Sequence, residues 1–173
     1  SDYYAKSQSE SSIINCVNEG NITIDCDCGT SNNAAGGIIG WPGKESSCTN
    51  VTENCVNKGN IVVSGEGKFR LGGIQGGSGI IKGCTNEGSI TVNSSNSASN
   101  YGGLAGFHSG GYELINSINT GDIVCNVPIS GGGVAGMAGN LGNSAHDEGK
   151  IKNNTIKCLV KSAEGTCGVG MVV

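Results

Sequence analysis

Two short motifs recur along this chain, and their spacing restricts the fold more than any other feature. The first is Asn-x-Gly-x-Ile-x-apolar: Asn18-Glu-Gly20-Asn-Ile22-Thr-Ile24, Asn57-Lys-Gly59-Asn-Ile61-Val-Val63, Asn86-Glu-Gly88-Ser-Ile90-Thr-Val92 and Asn119-Thr-Gly121-Asp-Ile123-Val-Cys125. The second is Gly-Gly-aliphatic-x-Gly: Gly36-Gly37-Ile38-Ile39-Gly40, Gly72-Gly73-Ile74-Gln75-Gly76, Gly102-Gly103-Leu104-Ala105-Gly106 and Gly132-Gly133-Val134-Ala135-Gly136. Its copies lie 36, 30 and 30 residues apart (72−36, 102−72, 132−102). A fifth, degenerate copy starts near Ile151, with Cys167-Gly168-Val169 in place of the glycine block.

Within each unit apolar and polar residues alternate, β-branched residues dominate, and Asn and Gly punctuate. That pattern reads as short strands joined by turns. No segment keeps a 3.6-residue apolar period, so no helix is expected. About 30 residues is too short for a four-stranded propeller blade but suits one solenoid coil of two or three strands. One coil cannot bury its apolar side alone, whereas copies stacked about 4.8 Å apart form parallel sheets and a continuous core. The expectation is an all-β parallel β-solenoid (β-helix) of four to five coils, right-handed like most parallel crossovers. It forms a single domain over 1–173, with repeats at about 12–47, 48–79, 80–111, 112–142 and 143–173.

The alignment assigns roles. Ile22, Ile61, Ile90 and Ile123 form one inward ladder, and Ile24, Val63, Val92 and Cys125 a second. Ile38, Ile74, Leu104 and Val134 form a third. Asn18, Asn57, Asn86 and Asn119 stack as an amide ladder, each hydrogen-bonding to the next. Gly20, Gly59, Gly88 and Gly121 are assigned to corners that need φ > 0.

Composition narrows the class further. Glycine supplies 32 of 173 residues, against a usual share of roughly 7%. Only two prolines are present, which excludes a collagen-like chain. The formal charge is −4 with no basic run, so no nucleic-acid partner is expected. No stretch approaches the roughly 18 apolar residues of a membrane span, and no direct membrane insertion is expected. The start, SDYYAKSQSESS, lacks a hydrophobic signal region, and the end, GVGMVV, stops on an apolar run. The start suggests a removed signal or a fragment, and the end a cut inside a longer array.

The glycine blocks resemble the GLUG motif, a repeat with a Gly-Leu-x-Gly core. Gly103-Leu104-Ala105-Gly106 matches as written, while Gly37-Ile38-Ile39-Gly40, Gly73-Ile74-Gln75-Gly76 and Gly133-Val134-Ala135-Gly136 match with another aliphatic. The resemblance covers most of 12–142. It implies a non-catalytic module of bacterial secreted or surface proteins, including regions outside the catalytic domain of immunoglobulin-A-cleaving proteases. The motif brings no catalytic residue and no cofactor.

Nine cysteines cannot all pair within one chain. Cys16, Cys55 and Cys84 fall in one ladder, with Ser117 in the fourth copy, and together with Cys125 they read as buried filler. Cys28 and Cys48, or Cys26 in place of Cys28, lie near the insertion of the first unit and are the candidates for a disulfide. Asp25-Cys26-Asp27-Cys28 has no nearby His and no familiar metal spacing, so it reads as a polar loop with no metal. His108 and His146 belong to no catalytic motif and read as surface loop residues. A polysaccharide-cleaving enzyme needs clustered carboxylates. The five Asp, at 2, 25, 27, 122 and 147, bring only Asp25 and Asp27 together. The outward run Thr23, Val62, Thr91, Val124 is too broken for an ice-binding threonine ladder.

Alternation places one further set outward. After the glycine block the ladder runs Trp41, Gly77, Phe107, Met137, and before it Ala35, Leu71, Tyr101, Gly131. Trp41, Tyr101 and Phe107 are thus candidate binding residues, since exposed rings stack on sugars or anchor protein partners. The expected function is an extracellular or bacterial cell-surface module for adhesion or ligand presentation, binding host or cell-surface glycan or protein. The loops 94–101 and 139–148 offer further contacts. The alternatives are a structural spacer or stalk of a larger secreted protein such as a protease, or a polysaccharide-acting β-helix enzyme. The terminal edge at 166–173 invites end-to-end self-association.

Overall fold

The computed structural model describes residues 11–27, 29–41, 50–94, 99–108, 113–141, 150–166 and 168–171. Among these no helix occurs. The first coil carries β1 (Ser11–Ile14), β2 (Val17–Asn18), β3 (Ile22–Asp25) and β4 (Gly29–Gly36). The second carries β5 (Asn50–Glu53), β6 (Val56–Asn57), β7 (Ile61–Ser64) and β8 (Gly67–Gly72). The third carries β9 (Ile80–Lys82), β10 (Thr85–Asn86), β11 (Ile90–Val92) and β12 (Asn100–Gly102). The fourth carries β13 (Leu114–Ile115), β14 (Ile118–Asn119), β15 (Ile123–Cys125) and β16 (Gly133–Ala135). The fifth carries β17 (Ile151–Lys152), β18 (Thr155–Ile156), β19 (Val160–Ser162) and β20 (Val169–Gly170).

Equivalent strands pair in parallel, giving four five-stranded sheets that wind as a β-solenoid. Each coil therefore holds four strands, where the sequence suggested two or three. The extra break comes at a tight corner after β1, β5, β9, β13 and β17. There Asn15, Asn54, Asn116 and Asn153 have φ of 57°, 52°, 54° and 57°, and Gly83 has 60°. Asn and Gly are the residues that tolerate this left-handed geometry. Coil lengths counted on the asparagine position are 39, 29, 33 and 37 (57−18, 86−57, 119−86, 156−119), averaging about 35 rather than 30.

The expected asparagine ladder is present. Asn18, Asn57 and Asn86 each donate from Nδ2 to Oδ1 of the next coil's asparagine, at 2.8, 2.8 and 2.7 Å. Asn57, Asn86 and Asn119 also donate to the carbonyls of Gly59, Gly88 and Gly121, at 3.0, 2.9 and 3.1 Å. These glycines do not have the expected positive φ. Their requirement is space: a Cβ on Gly59, Gly88 or Gly121 would lie 1.9 to 2.0 Å from the carbonyl oxygen of the preceding coil's glycine. The two sequence motifs meet here. A Cβ on Gly37, Gly73 or Gly103 would fall on the side chain of Asn57, Asn86 or Asn119. The amide ladder thus runs against a wall of bare backbone.

That wall separates two apolar clusters. One joins the ladders Ile61–Ile90–Ile123 and Val63–Val92–Cys125 to Phe69, Leu71, Tyr101 and Val134. The other joins Ile81 and Leu114 to Cys55, Cys84, Ile74, Leu104 and Met137. The third ladder therefore ends on Met137, not Val134. Val134 pairs with Tyr101, and Gly136-Met137-Ala138-Gly139 stacks on Gly103-Leu104-Ala105-Gly106. Two overlapping matches exist in Gly132-Gly133-Val134-Ala135-Gly136-Met137-Ala138-Gly139, and the backbone uses the later one. It keeps the interval from the ladder asparagine to the block at 15 to 18 residues in every coil (36−18, 72−57, 102−86, 135−119). The degenerate copy shifts likewise: Val169 pairs with Val134, ahead of the block position.

Candidate ligand-binding face

The strand before each glycine block and the segment after it lie back to back, because the block folds the chain over. Glycine permits the approach: a Cβ on Gly76 would sit 2.6 Å from the Ala35 nitrogen, and one on Gly106 2.3 Å from the Leu71 nitrogen. Residues just past the block are thereby brought beside the outer face of the fourth sheet (β4, β8, β12, β16, β20). Gly77 donates its N–H to the Gly40 carbonyl at 3.0 Å and Phe107 to the Gly76 carbonyl at 3.1 Å. Trp41, Gly77, Phe107 and then Asn140 accordingly share one ladder. Met137 does not belong to it and is buried.

On β8, Phe69 and Leu71 point into the core and Arg70 points out. The Arg70 guanidinium carbon lies 3.9 Å from the Phe107 ring centroid and 5.2 Å from that of Trp41. Three consecutive coils contribute one residue each: Trp41 from the first, Arg70 from the second, Phe107 from the third. Trp41 reaches across because its neighbour in the ladder is Gly77, where a Cβ would already touch the indole at 3.0 Å. Cation–π contact of this kind contributes about 0.5–2 kcal/mol and holds the guanidinium against the rings. Partial burial draws Arg70 below its ordinary pKa, but arginine keeps its charge.

Two of the three expected binding residues are therefore brought together and the third is not. Tyr101 is fully buried, in register with Leu71 and Val134, and burial pushes its phenol up to about 12. Counting alternation back from Leu104 fails because the chain bends at 103–104, so Tyr101 and Leu104 both face inward, into different clusters. Ala35 and Leu71 turn inward for the same reason. Arg70 was missed. Its signal was its place between two inward apolar residues, Phe69 and Leu71.

His108 is also not a surface residue; it is 1% exposed and bridges Leu141. His146 and the loops 95–98 and 142–149 lie outside the described residues, as do Asp2 and Asp147. Cys55, Cys84 and Cys125 are buried free thiols as expected, but Cys16 is exposed, having no described coil above it. Cys26 is disulfide-bonded. Its partner lies outside the described residues, as do Cys28 and Cys48. Asp25 accepts a hydrogen bond from the Ser64 hydroxyl at 3.0 Å, Asp27 from the Glu66 N–H at 3.0 Å, and Asp122 from the Leu159 N–H at 2.8 Å. Each carboxylate ties its coil to the next. Among the described residues no group of three or more His, Cys, Asp or Glu is placed to hold a metal ion. Comparison with family models, curated proteins and solved structures returns no match.

Proposed function

We propose that this chain is a non-catalytic module of a bacterial cell surface or secreted protein, which binds glycan or protein through the face built by Trp41, Arg70 and Phe107. The observation that carries the reading is the convergence of two aromatic rings and one cation, from three successive coils, on one outer face. Single residues from stacked repeats are how solenoids assemble extended binding surfaces. The glycine cores at 37–40, 73–76, 103–106 and 136–139 support membership of the GLUG repeat class and its surface location. The Cys26 disulfide supports an oxidising compartment.

The carboxylates support the non-catalytic half of the reading: Asp25, Asp27 and Asp122 each accept a hydrogen bond from the following coil and serve as ties between coils.

The test is a binding screen of the chain on an array of glycans and matrix proteins, beside the folded variant Trp41→Ala/Phe107→Ala. A ligand bound by the native chain and lost by the variant is the expected result. Silence of the native chain at high concentration favours the stalk alternative. Binding that survives the double substitution places the site elsewhere.

A further inference from the structure

Among the described residues the stacked arginine has no ion-pair partner. The ion pairs among them are Lys58–Glu19 at 3.2 Å and Lys82–Glu113 at 2.5 Å, and neither involves Arg70. Nε of Arg70 is buried with no hydrogen-bond partner, and so is Oδ1 of Asn100, its register neighbour on β12. The five strands of the fourth sheet contain no Asp or Glu. They do contain Lys68, two residues before Arg70 on the same outer face, which places their Cα atoms about 7 Å apart along β8. The nearest carboxylate in sequence, Glu66, sits at the preceding corner, roughly 13 Å along the strand. Among the described residues the outer face of the fourth sheet therefore carries cations and no carboxylate, on a chain of net charge −4.

The rings restrict what this face can bind. They lie at cation–π distance from the Arg70 guanidinium carbon, and Nε is buried, so a ligand has the terminal N–H groups to meet. Paired guanidinium N–H groups match a planar oxyanion bidentately. We infer that the Trp41–Arg70–Phe107 stack recognises the carboxylate groups of an acidic polysaccharide, a uronate polymer, with Arg70 as the specificity-determining residue. This inference rests on the binding reading above. A saccharide suits the site better than an acidic peptide because β8 is an interior strand, hydrogen-bonded to β4 and β12 on its two sides. No backbone groups remain there for an extended peptide to pair with. Recognition must run through side chains: ring edges against the apolar faces of sugars, cations against their carboxylates.

The experiment uses the whole chain with three probes: polygalacturonate, the same polymer fully methyl-esterified, and poly-L-glutamate. The native protein is expected to bind the acid at least about tenfold more tightly than the ester, a preference that weakens as salt rises. This comparison needs no variant. Arg70→Gln is expected to abolish the preference, so that acid and ester are bound equally, and circular dichroism confirms its fold. Equal binding of acid and ester by the native chain overturns the inference and leaves the binding reading standing. A preference retained in Arg70→Gln removes Arg70 as its source. Poly-L-glutamate bound as tightly as polygalacturonate overturns the saccharide assignment. If neither polysaccharide binds, the inference fails; if the glycan and matrix array is silent as well, the binding reading fails with it.

Discussion

The middle coils and the fifth coil occupy equivalent places in the same ladders but are held differently. Asn57 and Asn86 have an asparagine on both sides in the ladder, and Gly59, Gly88 and Gly121 each leave no room for a Cβ beside the carbonyl of the glycine before them. In the fifth coil Ile156 pairs with Asn119, and Cys158 stands at the glycine position. The last amide, Asn119, meets the Cys158 thiol in the fifth coil at 3.2 Å in place of an asparagine, and donates to the Gly136 carbonyl at 3.0 Å. Ile61, Ile90 and Ile123 are fully buried, whereas their successor Val160 is partly exposed and Leu159 is 57% exposed. In a stack where each coil contacts only its neighbours, stability is a sum of coil and interface contributions. The same position therefore has a large effect inside the stack and a small one at its edge.

The steepest test of this contrast is Gly88→Ala against Gly20→Ala. The added methyl of the first would meet the Gly59 carbonyl at 2.0 Å, while that of the second has nothing nearer than 3.7 Å. Denaturant unfolding should show a loss of roughly 3 kcal/mol or more for Gly88→Ala and within about 0.5 kcal/mol for Gly20→Ala. Equal losses would mean that the glycine spine is not a packing constraint.

The ladder amides come next. Asn86→Leu removes the acceptor of Asn57 Nδ2 and the donor to the Gly88 carbonyl and Asn119 Oδ1, and should cost about 2–3 kcal/mol. Ile156→Asn, at the equivalent site of the fifth coil, should change stability by less than about 1 kcal/mol. If both substitutions cost the same, the interior ladder has no cooperative advantage.

Alkaline pH separates the core from the edge by titration. Burial pushes the Cys84 thiol from 9.0 up to about 11 and the Tyr101 phenol from 10.0 up to about 12. For both groups the folded state favours the neutral form. Their contribution is therefore complete below pH 9 and lost as pH rises through 11 for Cys84 and through 12 for Tyr101. Melting curves should fall steeply across that window, and Cys84→Ala should flatten its lower part. A native chain whose stability is level from pH 9 to 12 would contradict the burial of both groups.

The smallest effect is a rate. Cys16 is exposed while Cys55 and Cys84 are buried in the same ladder. Alkylation followed by peptide mass mapping should modify Cys16 first, with Cys55 and Cys84 following only on unfolding. Modification of all three together would show that the first coil frays in concert with the second.

Much of this architecture was legible in the residues. The asparagine ladder and the Ile22–Ile61–Ile90–Ile123 ladder follow from motif spacing alone. Alternation failed where the backbone stopped being a strand. The bend at 103–104 sent Tyr101 inward, and a second, overlapping glycine match moved the fourth block by three residues onto Met137. Arg70 escaped because its place between Phe69 and Leu71 signals only that it faces outward; its partners come from coils before and after.

The sequence by itself determined the repeat, the parallel solenoid and most inward ladders, because those depend on periodicity, and periodicity is a property of neighbours along the chain. Tertiary structure alone decided the coil register, the burial of Tyr101 and the gathering of Trp41, Arg70 and Phe107 on one face. Register is chosen by which backbones can approach across coils, and that depends on where a missing Cβ meets a carbonyl or an amide tens of residues away.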